Sequence, residues 1–166
     1  HAVHPVADLQ IEYSLFSRGI EAEILPTVRE LGIGITAYGV LSRGLLSGHW
    51  SASRSTDPTD FRAHSPRFQG ENLDRNLELV EALRKVAQDK GVTVAQLAIA
   101  WVAAQDELIV PLVGARRRDR LTEALGALET QLTAADLATI EAAVPAGAAS
   151  GERYAAAQLS TLDSEK

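Results

Sequence analysis

Two β-branched runs, each ending in glycine and arginine and each leading toward a helix, do most to limit the folds open to this chain. The first spans Ile33–Leu46 (IGITAYGVLSRGLL) and the second Ile109–Leu121 (IVPLVGARRRDRL). In parallel α/β folds, ligands sit where strands end and the next helices begin. Two such ends, both carrying arginine, point to an anion-bearing ligand such as a dinucleotide.

The rest of the chain alternates in the same way. Val6–Tyr13 reads as a short buried strand. Arg18–Leu31 reads as a helix with Ile20, Ile24, Val28 and Leu31 on one face. Pro26 inside it predicts a kink, and Gly32 predicts its stop. Ile33–Tyr38 is the second predicted strand. From Ser47 to Gly70 the pattern is lost to turn formers such as Ser51, Ser53, Ser55, Asp57 and Pro58. A loop this long is functional or disordered, and Phe61, Arg62, Arg67 and Phe68 give it groups to dock with.

Helical spacing returns over Leu73–Lys90, ended by Gly91, and Thr93 is placed to cap a helix through Leu97 and Trp101. Ile109–Val113 is the third predicted strand and Asp119–Leu128 a helix. Thr133 and Asp136 fit a capping box at the start of the last helix. Strands separated by helices imply parallel crossovers. The expected architecture is one α/β unit over residues 1–145, followed by an Ala/Gly/Ser-rich flexible tail over 146–166.

Composition excludes several classes. The 166 residues carry a formal charge of −6 and a pI near 5.2, against the basic face that nucleic-acid binding needs. No run approaches the roughly 20 apolar residues of a membrane span. The start lacks the basic-then-apolar order of a signal peptide. With no cysteine there is neither a disulfide framework nor a thiolate metal site, which fits a cytoplasmic setting. The chain opens on His1 and holds no methionine, so it reads as the later part of something longer.

Few residues invite chemistry. Tyr13 at a strand end reads as structural, and Tyr154 as a solvated residue of the tail. His1 and His4 have no third ligand in view, so no metal is expected; His49 and His64 read as loop surface. Ser14 and Ser17 lack a hydrolase context, and Leu97 with Trp101 reads as core. Arg116, Arg117, Arg118 and Arg120 crowd a helix start in an acidic protein. Positive charge there opposes the helix dipole, so an anionic partner is expected.

Four stretches together resemble the aldo-keto reductase family. They are Gln10–Leu15 (QIEYSL), Glu30–Gly34 (ELGIG) with its strand, Asp60–Arg62 with Pro66–Phe68, and Val113–Arg116 through Arg120–Leu121. The resemblance implies the later half of a TIM (β/α)8 barrel, here a partial barrel of about three parallel strands, from an enzyme that uses NADPH to reduce a small carbonyl substrate. It implies that Gln10 bonds the nicotinamide amide and that Tyr38 stacks on the ring rather than acting as an acid. Gly39, Val40, Leu41, Arg43, Gly44 and Leu45 would pass under the pyrophosphate. Gly114, Ala115, Arg116 and Arg120 would hold the adenosine end, with Glu123 and Ala124 where the family has a Glu-Asn pair. Gly39-Val40 replaces the family's Ser-Pro. No segment matches the family's catalytic tetrad, so no catalytic residue is expected here. The alternative is a non-catalytic nucleotide-binding half-barrel that self-associates or docks with an N-terminal half.

Overall fold

Short β-branched stretches with apolar residues at every second position bury one face of a strand. The computed structural model, which describes residues 1–51 and 57–160, has three of them: β1 (Asp8–Glu12), β2 (Gly34–Tyr38) and β3 (Ile109–Pro111). They pair in parallel in the order β1-β2-β3. Leu9, Ile35 and Ile109 lie in register, and so do Gln10, Thr36 and Val110. The first row faces the core, where Ile35 and Ala37 are fully buried. The second row is the more polar face. Pro111 has no N–H to offer a ladder, and β3 stops there.

Helices supply the crossovers that parallel strands require. Between β1 and β2 runs α1 (Ile24–Leu31). Between β2 and β3 run α2 (Gly70–Asp89) and α3 (Val94–Ala103), and α4 (Arg118–Leu125), α5 (Ala134–Ala143) and α6 (Ala156–Leu159) follow. The α3 helix is apolar almost all round and correspondingly buried. Its Trp101 ring lies 5.4 Å from that of Tyr13. Thr93 caps α3 reciprocally with Gln96, and Thr133 caps α5 with Asp136.

Three expectations need correction. The helix expected over Arg18–Leu31 is a 3-10 turn at Gly19–Glu21 followed by α1. Pro26 therefore causes no internal kink. It occupies the first turn of α1, where its missing N–H would have had no helical partner anyway. The long loop is largely ordered where it is described. Phe61–His64 and Pro66–Phe68 form 3-10 turns, Trp50 packs edge-on against Phe68 at 4.8 Å, and Arg67 is buried. Ser53 and Ser55 lie outside the described residues. Finally, the segment expected to be a tail folds back onto α2. Ser150 N–H donates to Asn76 Oδ1 at 2.8 Å, Asn76 Nδ2 donates to Ser150 O at 2.9 Å, and Arg67 Nε donates to Gly151 O at 3.2 Å. Residues 161–166 of that tail lie outside the described residues.

Removing either capping hydroxyl leaves a helix-end N–H unsatisfied. Thr93→Ala and Thr133→Ala are each expected to cost about 1 kcal/mol. The urea midpoint should fall with an unchanged slope; an unmoved midpoint would contradict the capping geometry.

Candidate functional site

The C-terminal ends of β2 and β3 lie side by side, so the segments that leave them face each other. Between them lies a cleft of about 530 Å³. One wall is the turn after β2, with Gly39, Val40, Leu41, Arg43 and Gly44. The other is Leu112–Gly114 with Arg116, Arg117, Arg120, Glu123 and Ala124; Ala95 and Ile99 of α3 close its back. Most of the residues expected to hold a nucleotide therefore share one cavity, although the two walls are about seventy positions apart in sequence.

The remaining four sit elsewhere. Leu45 is fully buried in the core, so it supports the turn rather than lining the cleft. Ala115 is exposed beside the cleft wall. Gln10 is exposed on the polar face of β1. Tyr38 ends β2 half-buried, in register with Glu12.

The turn wall is backbone-strained. Gly39 (φ 69°) and Gly44 (φ 105°) take left-handed angles, but so do Ser42 (φ 45°) and Arg43 (φ 55°). Such angles are uncommon for residues with a Cβ. A side chain at Gly39 would also approach Glu12 Cγ to 3.2 Å. The amides of Ser42, Gly44 and Leu46 are already committed inside the turn, to Gly39 O and Leu41 O, which leaves fewer free amides for a phosphate than the sequence implied.

Arg43 lines the cleft while its guanidinium is engaged within the protein. Its Nη1 and Nη2 donate to Glu12 Oε1 and Oε2 at 2.8 and 3.0 Å, and Glu12 is 0 % exposed. Its charge is thus compensated before any ligand arrives. Burial alone would raise the Glu12 carboxyl. The hydrogen bonds and charge of Arg43, with Arg153 and Ser17, outweigh it and hold Glu12 below the usual carboxylate range. For Arg43, desolvation works to release the proton, and the Glu12 carboxylate overcomes it, so its pKa rises.

Sequence reasoning missed this hub. Ser17 Oγ donates to Glu12 Oε1 at 3.2 Å and Tyr154 Oη donates to Glu12 Oε2 at 3.3 Å. Tyr154 also lies under Arg43, its ring centre 4.5 Å from the guanidinium carbon. It is not a solvated tail residue. Burial, a hydrogen bond with Tyr38 and the Glu12 charge push its phenol up to about 12. Tyr13 keeps its proton too: burial raises it, and its hydroxyl donates to Glu21 Oε1 at 2.7 Å. The one sequence signal for the hub was a glutamate set between Ile11 and Tyr13 in an otherwise buried strand end.

The arginine cluster divides by partner. Arg117 pairs with Asp119 at 2.9 Å, and Arg120 pairs with Glu123 at 2.9 Å. Arg120 also bonds the His49 ring, which brings that loop residue to the cleft rim. Among the described residues, Arg116 has no ion-pair partner while lining the cleft. Gly114 beside it has nothing within 4 Å of where a Cβ would stand. One uncommitted cation and one shared cation next to open space suit an anionic group.

A model of the aldo/keto reductase family matches residues 1–145. The chain is 44% identical over 154 residues to the probable aldo-keto reductase 1 of Glycine max, covering 93% of this chain and 44% of that protein. Its fold is similar to that of a glycerol dehydrogenase from Gluconobacter oxydans. The TM-score is 0.81 at 30% identity, over 86% of this chain and 43% of that one. The chain thus spans under half the length of each.

Truncating Arg43 strands a buried carboxylate. Arg43→Ala is expected to cost about 3–5 kcal/mol, read by thermal melting, and the double change Glu12→Gln/Arg43→Met should lose less than the two single changes summed. The pH dependence has a fixed sign. The folded Glu12 pKa is lowered, so the unfolded chain binds the proton more readily. The stability from Glu12 is complete above the ordinary carboxylate range near 4.5 and fades as pH falls through the lower folded value. An acid titration of Glu12→Gln should show a shallower loss below pH 4.5; a parallel curve would refute the assignment.

Proposed function

The chain belongs to the aldo/keto reductase family, and on that premise we propose that it forms the nucleotide-holding, C-terminal portion of an NADPH-dependent carbonyl reductase. The observation that carries the reading is the pairing of the two strand-end segments around one cleft, with Arg116 uncommitted inside it. Guanidinium groups recognise phosphate through paired donors. In this reading Arg116 and Arg120 take the adenosine 2′-phosphate, Gln10 orients the nicotinamide amide, and Tyr38 supports its ring. Arg43 acts by holding the turn.

The bound dinucleotide supplies hydride to the carbonyl of a small substrate. The proton has to come from elsewhere, since Tyr13 is buried with its hydroxyl committed to Glu21 and the Tyr154 hydroxyl is committed to Glu12. We assign it to the part of the family barrel that this chain does not span. A cytoplasmic setting belongs to the same reading. Among the described residues, no helix is long and apolar enough to cross a membrane.

A second reading, self-association of the half-barrel, is favoured by one observation. Val110 on the edge strand is 63 % exposed, and Leu128 just beyond α4 is 80 % exposed. Open strand edges with apolar neighbours invite pairing. Light scattering of the chain decides this reading: a monomer at working concentration removes it.

Nucleotide binding is tested by thermal melting with NADPH and with NADH. At about 100 times the dissociation constant, ligand should stabilise the fold by about 2.7 kcal/mol. Arg116→Ala should weaken NADPH about tenfold, the value of one charge-assisted contact, and leave NADH little changed. A melt indifferent to both nucleotides would overturn the proposal.

A further inference from the structure

Two consecutive residues with side chains, Ser42 and Arg43, stand in left-handed angles in the turn that walls the cleft, Ser42 buried behind it and Arg43 lining it. Such angles are uphill and persist only where the surroundings over-determine them. The restraint on Arg43 is visible. Glu12 grips both of its terminal nitrogens, and the Tyr154 ring stacks beneath it.

The Glu12 carboxylate is in turn shared with residues near the other end of the chain. Tyr154 Oη lies 3.3 Å and Arg153 Nη1 3.5 Å from Oε2. The segment before them is fastened at a distance from the cleft. Ser150 is bonded to both Asn72 and Asn76 of α2. At Gly151 (φ 81°) a Cβ would stand 2.8 Å from Asn72 Nδ2 and 3.0 Å from the Pro66 backbone. That position admits glycine and little else, so the segment reaches Glu12 along a tightly fixed path.

We propose that residues 150–154 form a latch, with Arg153 and Tyr154 as positioning residues that hold the strained turn, through Glu12 and Arg43, in the shape that lines the cleft. The turn is then preorganised for its ligand, and the ordering cost falls on folding rather than on binding. Ligand and latch are linked reciprocally: whatever binds the formed turn favours the closed latch, and a closed latch favours binding. The binding arm of this proposal rests on the NADPH reading above; the conformational arm does not.

The test uses the whole 166-residue chain in four variants. Tyr154→Ala removes the ring and hydroxyl. Tyr154→Phe keeps the stack alone. Gly151→Ala lifts the latch from a site that touches neither Glu12 nor the cleft lining. Ile140→Val loosens the core in α5 as a control for general destabilisation. Amide hydrogen exchange of residues 39–46 and NADPH titration are read on each. Exchange in the turn is expected to rise, and NADPH affinity to fall about tenfold, in Tyr154→Ala and Gly151→Ala, as loss of preorganisation implies. Tyr154→Phe should recover most of both, and Ile140→Val should lower the melting temperature with neither effect.

Wild-type exchange rates in the turn of both Tyr154→Ala and Gly151→Ala would overturn the latch. A loosened turn with unchanged affinity would overturn its link to the cleft. A loosened turn in a chain whose wild type ignores NADPH would uphold the latch and overturn the nucleotide reading instead.

Discussion

A carboxylate sealed from water must find inside the protein everything that water would have given it. Glu12, at the end of the first strand, meets that demand with Arg43, Ser17, Arg153 and Tyr154. These four partners come from three separate stretches of chain: Arg43 from the turn after β2, Ser17 from the link after β1, and Arg153 and Tyr154 from the segment after α5. The requirement of one buried charge therefore fixes how three connections cross the end of the sheet. Buried ion pairs add little net stability over apolar packing. What this one supplies is specificity, since few other arrangements of those segments would satisfy it.

The cleft next to it shows the complementary use of charge. Arg117 and Arg120 have acidic neighbours of their own, whereas Arg116 opens onto solvent. The site thus combines a rigid wall whose arginine is internally neutralised with an opposite wall whose arginine is not. In the aldo/keto reductase frame this is an economical arrangement. The neutralised side is fixed by its own ion pair, and the other side leaves one guanidinium uncompensated. Arg120 stands between these two cases, since Glu123 already shares its guanidinium at 2.9 Å.

Much of the fold was legible because its causes are local. β-branched runs, cap residues and stop glycines act within a few positions, and β2, the Thr93 cap, the Thr133 capping box and the Gly32 terminus follow from them. Both cleft walls were also legible, as strand ends carrying glycine and arginine. Pro26 misled because a proline reads as a breaker until the helix start is known, and here it sits within the first turn. The hub was illegible for a different reason. The partners of Glu12 are as far as 142 positions away, and no spacing rule spans that distance. An Ala/Gly/Ser-rich composition also disguised residues 146–154 as tail, although Arg153 within them is among the most buried charges described.

That separation bears on the order in which the molecule assembles. Contacts between distant positions carry the loop-closure cost of the chain between them, and they form late. The β1–β2 ladder and its helix crossover are comparatively local and can be complete while the chain is still being made. The grip on Arg43 cannot be complete until residue 154 has left the ribosome. A nascent chain halted just short of that point would carry its sheet, both cleft walls and the Glu12–Arg43 pair, yet without the ring that stacks beneath Arg43: folded in outline, with one face of its buried charge still open.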